Sequence, residues 1–557
     1  MFNEIFLIEK KHKLKNKDKV PTSGKGDNME KDPYLLGIDG GTKSLRVGIF
    51  DLRGRRVAFA SEPYPVYFPH SGFATQDPED WWEAFKGALS KALIQSKVNP
   101  REIEAIGMDA TSCTVVFTDK QGNPLRRAIP WMDARASKEA KLISATNDPA
   151  LKYHGWNNVP SEWMPCKALW VKKNEPQIYN KAYRVCEYID WFIYKLTGRW
   201  TVSMTNATLK WYYDKPGGGW PKEFYKKIGL GDILEKFPSE VVKLGERVGH
   251  VRPEVADQIG VKPGIPVVEG GSDGYVAMLG LNVTAPGKLA LITGSSHMLI
   301  GLTRKEFHFP GIFGTFPETV IPGLNTIGGG QISTGSIIEW FKDNFYYKKF
   351  LDAQRKRMDI YDILNDEASK LKSGSEGLIV LDHWQGNRSP YVDPESRGVI
   401  WGLSLRHTPA HLFRAIMEGV AYGTENILRT FKQAGFESKE MSACGGATKS
   451  KLWMQIHSDV SAIPIYIPKE TEAACLGSAI LASVGGGYYD SLQEACEKMV
   501  KIAYVIEPNS KNHDIYKFYL DKYIQTYKKM QELVHQLVAH EQTDSCRELA
   551  EGLEFST

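Results

Sequence analysis

The sequence has no run approaching the roughly 18 apolar residues that a membrane-spanning helix requires. Its seven cysteines, at 113, 166, 186, 444, 475, 496 and 546, are odd in number and form no CxxC pair. That argues against a disulfide framework and against a structural zinc site. Neither charge is in excess: 70 Lys and Arg against 66 Asp and Glu leave a net +4, too little to coat a polyanion. His407 and His411 stand at i, i+4 but lack a third ligand, so they read as helix-surface residues. No membrane or nucleic-acid partner is expected, and the free thiols suit a reducing, cytoplasmic setting. What the chain does have is length, 557 residues, with 42% hydrophobic and 11% aromatic side chains. Three or four units, or two α/β domains of about 250 residues, are both compatible with it.

Residues 1–33 differ from the rest. They are Lys-rich from Lys10 to Lys19 and Ser/Gly/Asp-rich from Thr22 to Asp27, and read as a disordered basic tail. Order begins with the apolar strand Tyr34–Asp39, which passes through Gly40-Gly-Thr-Lys43 into a second strand, Leu45–Phe50. Asp77-Pro78 then opens a helix on which Trp81, Phe85 and Leu89 recur at helical spacing. A strand over Ile103–Met108 enters the polar stretch Asp109–Thr114 and is expected to resume at Val115-Val-Phe117. The pattern recurs later: strand Lys288–Thr293, a turn at Gly294-Ser-Ser296, strand Met298–Gly301. A strand near Glu440–Ala443 and helices over Pro409–Lys432 and Lys451–Val460 follow. Two α/β halves are the natural reading, followed by a short tail over 536–557.

The glycines cluster in the turns. Gly40 and Gly41 allow a tight turn that leaves backbone N–H groups open to an anion. Beside them Asp39 can hold hydrated Mg²⁺, and Thr42 and Lys43 can bond phosphate oxygens. An ordinary hairpin turn is the plainer alternative for this segment alone. Neither a Walker loop nor a GxGxxG fingerprint is present. Thr293-Gly294-Ser295 offers a second cradle and Gly445-Gly446 a third. In Glu269-Gly-Gly-Ser-Asp273-Gly, glycines on both sides of Asp273 let a hydroxyl substrate approach closely. A proton acceptor for that hydroxyl, or a plain turn, both fit.

In order, these segments resemble the motifs of the FGGY family of carbohydrate kinases, within the actin/hexokinase-like ATPase superfamily. The likeness runs from Gly37-Ile-Asp-Gly-Gly-Thr42 through Gln76-Asp-Pro-Glu-Asp-Trp-Trp82, Ile129-Pro-Trp-Met-Asp-Ala-Arg135 and Gly270-Gly-Ser-Asp-Gly274. It continues through Thr293-Gly-Ser-Ser296 to Gly445-Gly-Ala-Thr-Lys-Ser450 and Glu472-Ala-Ala-Cys-Leu-Gly-Ser-Ala479. The resemblance implies an α/β chain of two actin-like (ribonuclease H-like) ATPase domains around a central cleft, each on a mixed five-stranded sheet. It places sugar binding and the base in residues 34–284 and ATP binding in 285–535. It makes Asp273 the general base and associates Asp39 and Asp273 with Mg²⁺. Thr42 becomes a phosphate contact, Thr293 and Gly294 part of the second phosphate loop, Gly335 and Ile338 the purine side, and Gly446 and Ser450 the adenosine side. Family members are often homodimers.

Within the family the chain looks most like ribulokinases. Asp109-Ala-Thr-Ser112-Cys113-Thr114, Ser161-Glu162-Trp163 with Lys167, and Lys210 resemble ribulokinase segments, so Ser112, Cys113, Glu162, Lys210 and Gln331 join Asp273 as expected sugar contacts. One departure stands out: ribulokinases tend to carry a glutamate just before the Gly-Gln pair, and here the run is Gly328-Gly-Gly-Gln331. The expected activity is phosphorylation of the terminal hydroxyl of a ketopentose, ribulose first, by MgATP. A kinase for another ketose or a polyol (xylulose, erythrulose, ribitol), and a non-catalytic actin-like sugar or ATP sensor, are the alternatives.

Overall fold

The computed structural model describes residues 33–557, apart from 156–158, 347–350, 352, 354, 356 and 555–557. The expected N-terminal tail, up to residue 32, lies outside the described residues.

The first sheet is built from β1 (Tyr34–Gly40), β2 (Ser44–Asp51), β3 (Arg56–Pro63) and β4 (Ile103–Ala110), with β5 (Arg247–His250), β6 (Pro266–Val268) and the short β7 (Gly271–Ser272). Its order is β3-β2-β1-β4-β6-β5, and β7 pairs with the end of β4. β1 runs antiparallel to β2 and parallel to β4. The second sheet repeats the scheme with β8 (Lys288–Thr293), β9 (His297–Thr303), β10 (Phe313–Pro317), β11 (Asn325–Gln331), β12 (Glu440–Gly445), β13 (Ile465–Pro468) and β14 (Ile502–Ile506). Its order is β10-β11-β9-β8-β12-β13-β14. In each sheet the first strand forms a hairpin with the second and lies parallel to a later one. Both sheets have seven strands, not the five expected. Antiparallel β5 and the short β7 enlarge the first, and β10 and antiparallel β14 extend the two edges of the second.

Local sequence explains the elements that frame the cleft. Asp77 caps the helix Pro78–Ser96 by accepting from the Glu79 N–H at 3.1 Å, and Trp81, Phe85 and Leu89 are buried. Gly37 of β1 pairs with Gly107 of β4. A methyl group on either would overlap a carbonyl oxygen of the helix Ala473–Gly485, at Cys475 and Ser478. These two glycines let a helix from the C-terminal half lie directly on the first sheet.

Two expectations need correction. Val115–Thr118 does not resume the main strand; it forms a separate two-stranded sheet with Arg184–Glu187. The break falls at Cys113, whose φ of 59° turns the chain out of the sheet. The tail expected from 536 is instead part of an unbroken helix, Ser510–Glu554, and Val538 is buried with Val534 one turn before it. The six described cysteines are free and buried. Among the described residues no helix is long and apolar enough to cross a membrane.

Candidate active site

The C-terminal ends of β1, β8 and β12 converge on one cleft of about 800 Å³. Asp39, Gly41, Thr42 and Lys43 line it from the first hairpin, Thr293 and Ser295 from the second, and Gly445 and Gly446 from the third loop. The structure thus brings the three loops together on one cleft. Each is braced. Gln76 Nε2 donates to the Thr42 carbonyl at 2.7 Å and Trp131 Nε1 donates to Thr42 Oγ1 at 3.0 Å, which ties two further motifs to the first turn. Thr293 Oγ1 donates to the Cys444 carbonyl at 2.6 Å and accepts from the Ala447 N–H at 3.2 Å, joining the second loop to the third. Beside Gly446 a side chain would meet nothing within 4 Å, so its backbone faces open space.

Other predicted nucleotide contacts sit elsewhere. Gly40 belongs to β1, where a side chain would strike the Tyr188 ring. The Gly294 N–H donates to the Ser296 carbonyl, and its own carbonyl accepts from the Gly335 N–H at 3.2 Å, so both close the turn itself. Ile338 is buried in the core of the second half. Ser450 caps the helix Lys451–Ser461, and its hydroxyl donates to Asn365 Oδ1 at 2.5 Å. None of these five lines the cleft described here.

Acidic groups gather where the first hairpin meets β4. Arg46 Nη1 donates to Asp39 Oδ2 at 2.6 Å. Burial raises the Asp39 pKa and the Arg46 charge opposes the rise. Asp109, paired with Asp39 across β1 and β4, accepts from Ser478 Oγ at 2.6 Å. Burial and the Asp39 charge push its pKa well above the ordinary carboxylate range. Neither Arg46 nor Asp109 was identified from the sequence, although both flank recognised motifs.

Asp273 opens the helix Asp273–Gly280, and its Oδ1 accepts from the Gly274 N–H at 2.7 Å. Burial, and then the Asp39 charge, raise its pKa to about 6. Asp273 lines the cleft and also a second cavity of about 400 Å³, on whose wall stand Ser112, Glu162 and Lys210. Lys210 Nζ donates to Glu162 Oε1 at 3.1 Å and lies 5.4 Å from the Trp163 ring centre. Burial alone would raise the Glu162 pKa, but the Lys210 charge, with Arg388, brings it down to about 2.

Two expected sugar contacts do not reach this cavity. The Cys113 side chain is 1% exposed; its N–H donates to Glu187 Oε2 at 2.7 Å and its carbonyl accepts from Lys167 Nζ at 2.6 Å. Its place is structural, and so is that of Lys167. The Gln331 amide is consumed within the second half: Nε2 donates to Asp382 Oδ2 at 2.7 Å and to the Val420 carbonyl at 2.9 Å, and Oε1 accepts from Thr424 at 2.9 Å. In their stead the cavity holds Tyr275 and Arg388, which sequence reasoning missed.

Residues 34–280 match the N-terminal domain of the FGGY family of carbohydrate kinases, and residues 289–486 match its C-terminal domain. The chain belongs to the FGGY family of carbohydrate kinases. An FGGY carbohydrate kinase domain-containing protein of Xenopus laevis is 33% identical over 529 residues, 88% of this chain and 95% of that protein. A ribulokinase of Halalkalibacterium halodurans is 32% identical over 84% of this chain and 90% of its own length. The crystal structure of a xylulose kinase from Rhodospirillum rubrum superposes with a TM-score of 0.80 at 25% identity, covering 90% of this chain and all of that one. This FGGY kinase accordingly has the two-domain, actin-like ATPase fold and is a carbohydrate kinase.

Proposed function

We propose that this FGGY kinase transfers the γ-phosphoryl group of MgATP to the terminal hydroxyl of a ketopentose, with ribulose the first candidate. The observation that carries this reading is the position of Asp273 on the walls of both cavities. A sugar seated against Lys210 and Glu162 can present its hydroxyl to the one carboxylate that also faces the phosphate loops.

Each part of the site has a definable task. Asp273, with its pKa near 6, is ionised at neutral pH yet basic enough to accept the hydroxyl proton as the oxygen attacks phosphorus. Backbone N–H groups of the three loops, with Lys43, bind and orient the phosphates. Among the described residues no group of three or more His, Cys, Asp and Glu side chains forms a metal centre by itself. The donor set instead suits Mg²⁺ held by Asp39 and Asp273 together with nucleotide phosphates and water. When bound, Mg²⁺ supplies charge neutralisation at the phosphoryl oxygens. Arg46, paired with Asp39, keeps that carboxylate in place.

Two features support ribulose: the Lys210–Glu162 pair at the expected positions, and the curated relatives named ribulokinase. Gly328 favours a second reading, another ketose such as xylulose, because the glutamate expected there is missing from the cavity wall. The test is an ADP-release screen over ketopentoses, ketotetroses, aldoses and polyols, run beside Asp273→Asn. Selective turnover of a ketopentose that the substitution abolishes supports the reading. Silence with every acceptor points to a sensor.

A further inference from the structure

The charged groups of the sugar cavity form two separate sets. At one end Asp273 is influenced by Asp39 and Arg46. At the other, Glu162 is influenced by Lys210 and Arg388, and Tyr275 by the same two cations. Lys210 is committed to Glu162. Arg388 and the Tyr275 hydroxyl have no hydrogen-bond or ion-pair partner among the described residues, yet both line the cavity. A half-buried guanidinium that feels the Glu162 charge but makes no direct hydrogen bond is the unfinished part of this wall.

Arg388 is also firmly presented. It lies in the loop between the strands Ile379–Leu381 and Val399–Trp401. There His383 Nδ1 pairs with Ser396 Oγ at 2.7 Å, Asn387 Nδ2 with His383 Nε2 at 2.9 Å, and the Asn387 and Asp393 backbones bond reciprocally at 2.7 and 2.8 Å. Tyr527 and His535 of the last helix hold Asp393 from behind, at 3.0 and 2.9 Å. A loop so fastened brings the Arg388 backbone to the cavity without the entropy cost of ordering the loop on binding.

Across the cavity, a side chain on Gly328 would begin 3.4 Å from the Tyr275 hydroxyl. Tyr275 therefore stands in the space into which a glutamate at 328 would reach. The far wall then offers donors, from Arg388, Lys210 and Tyr275, against one carboxylate already spoken for. Guanidinium and ammonium groups only donate. They match the acceptor-rich end of a substrate better than a hydroxyl that must also donate.

We infer that Arg388, seconded by Tyr275, is a specificity-determining residue that donates to the carbonyl oxygen of a ketose whose terminal hydroxyl lies at Asp273, and so selects ketoses over the corresponding polyols. This rests on the sugar-kinase reading of the cavity.

The test compares a ketopentose, its pentitol and its aldonic acid with the wild-type chain, Arg388→Gln, Arg388→Lys and Tyr275→Phe. ADP release is paired with calorimetric binding to Asp273→Asn carrying the same changes. Arg388→Gln should lower kcat/KM and affinity for the ketose by roughly ten- to a hundredfold, leave the polyol and the KM for ATP within about twofold, and be partly rescued by Arg388→Lys. Tyr275→Phe should act in the same direction, more weakly. Equal losses for ketose and polyol, or no loss, would overturn the assignment, and so would a wild-type preference for the aldonic acid. Ketose binding that depends on Arg388, without turnover in the wild type, would uphold this inference while refuting the kinase reading; turnover insensitive to Arg388 would do the reverse.

Discussion

If Asp273 is the base, the acid side of the pH profile should report its ionisation. The perturbation is pH itself, between about 5 and 8, with kcat/KM measured at subsaturating MgATP and sugar, so that the ionisation of the free enzyme is read. With a pKa of about 6, the Asp273 carboxylate is about nine-tenths ionised at pH 7 and about one-tenth ionised at pH 5. An unshifted aspartate would be almost fully ionised at both. The rate constant should therefore fall about tenfold from pH 7 to pH 5, where a normal aspartate predicts almost no change. The shift arises mainly from burial and next from the Asp39 charge, against the lowering effect of the Gly274 N–H. Asp273→Asn should lower kcat by about 10²–10⁴-fold, and its residual rate should lose the acidic limb. A limb that persists unchanged in Asp273→Asn belongs to the nucleotide's own phosphate ionisation and refutes the assignment. So does a flat wild-type profile.

Three further outcomes follow from contacts in the same region. Glu162→Gln should raise the sugar KM about tenfold and leave the ATP KM in place, because Lys210 loses the carboxylate it pairs with inside the sugar cavity; initial-rate kinetics in both substrates checks it. Thr293→Val removes the donor to Cys444 and the acceptor for Ala447, so thermal unfolding should show a loss of about 1–3 kcal/mol and the ATP KM should rise. Gly37→Ala forces a methyl group against the Cys475 carbonyl and should cost about 1–3 kcal/mol or more, seen as a lowered unfolding midpoint or loss of soluble protein.

How far the sequence reaches depends on how local each signal is. The hairpin turns and the Asp77 cap are set by near neighbours, and both were legible, whereas the helix that Asp273 opens was not read from its glycine-flanked segment. Gln331 was misjudged because its fate depends on Asp382 and Val420, which the fold brings to it from more than 50 positions away in sequence. Cys113 turned inward because buried Glu187 and Lys167 bind its backbone. Arg388 gave only a turn signal, Gly386-Asn-Arg-Ser-Pro390, which marks a loop but not the direction in which it reaches. That direction is set by Tyr527 and His535, in a helix whose later part reads in isolation as a polar tail. Tyr275 was within sight, two residues after the base, but its meaning needed the space beside Gly328.

The position of Asp273 has a deeper cause in the helix pair that joins the halves. A methyl group on Gly280 would overlap the Ala473 carbonyl, and one on Gly477 would overlap the Val276 carbonyl. The helices Asp273–Gly280 and Ala473–Gly485 therefore touch backbone to backbone, each supplying a glycine to the other. Their first residues reach the same cleft, Asp273 and Gly274 from one helix, Ala473 and Ala474 from the other. Two helix N-termini directed at one space make it favourable for phosphate oxygens and for an ionised Asp273 alike.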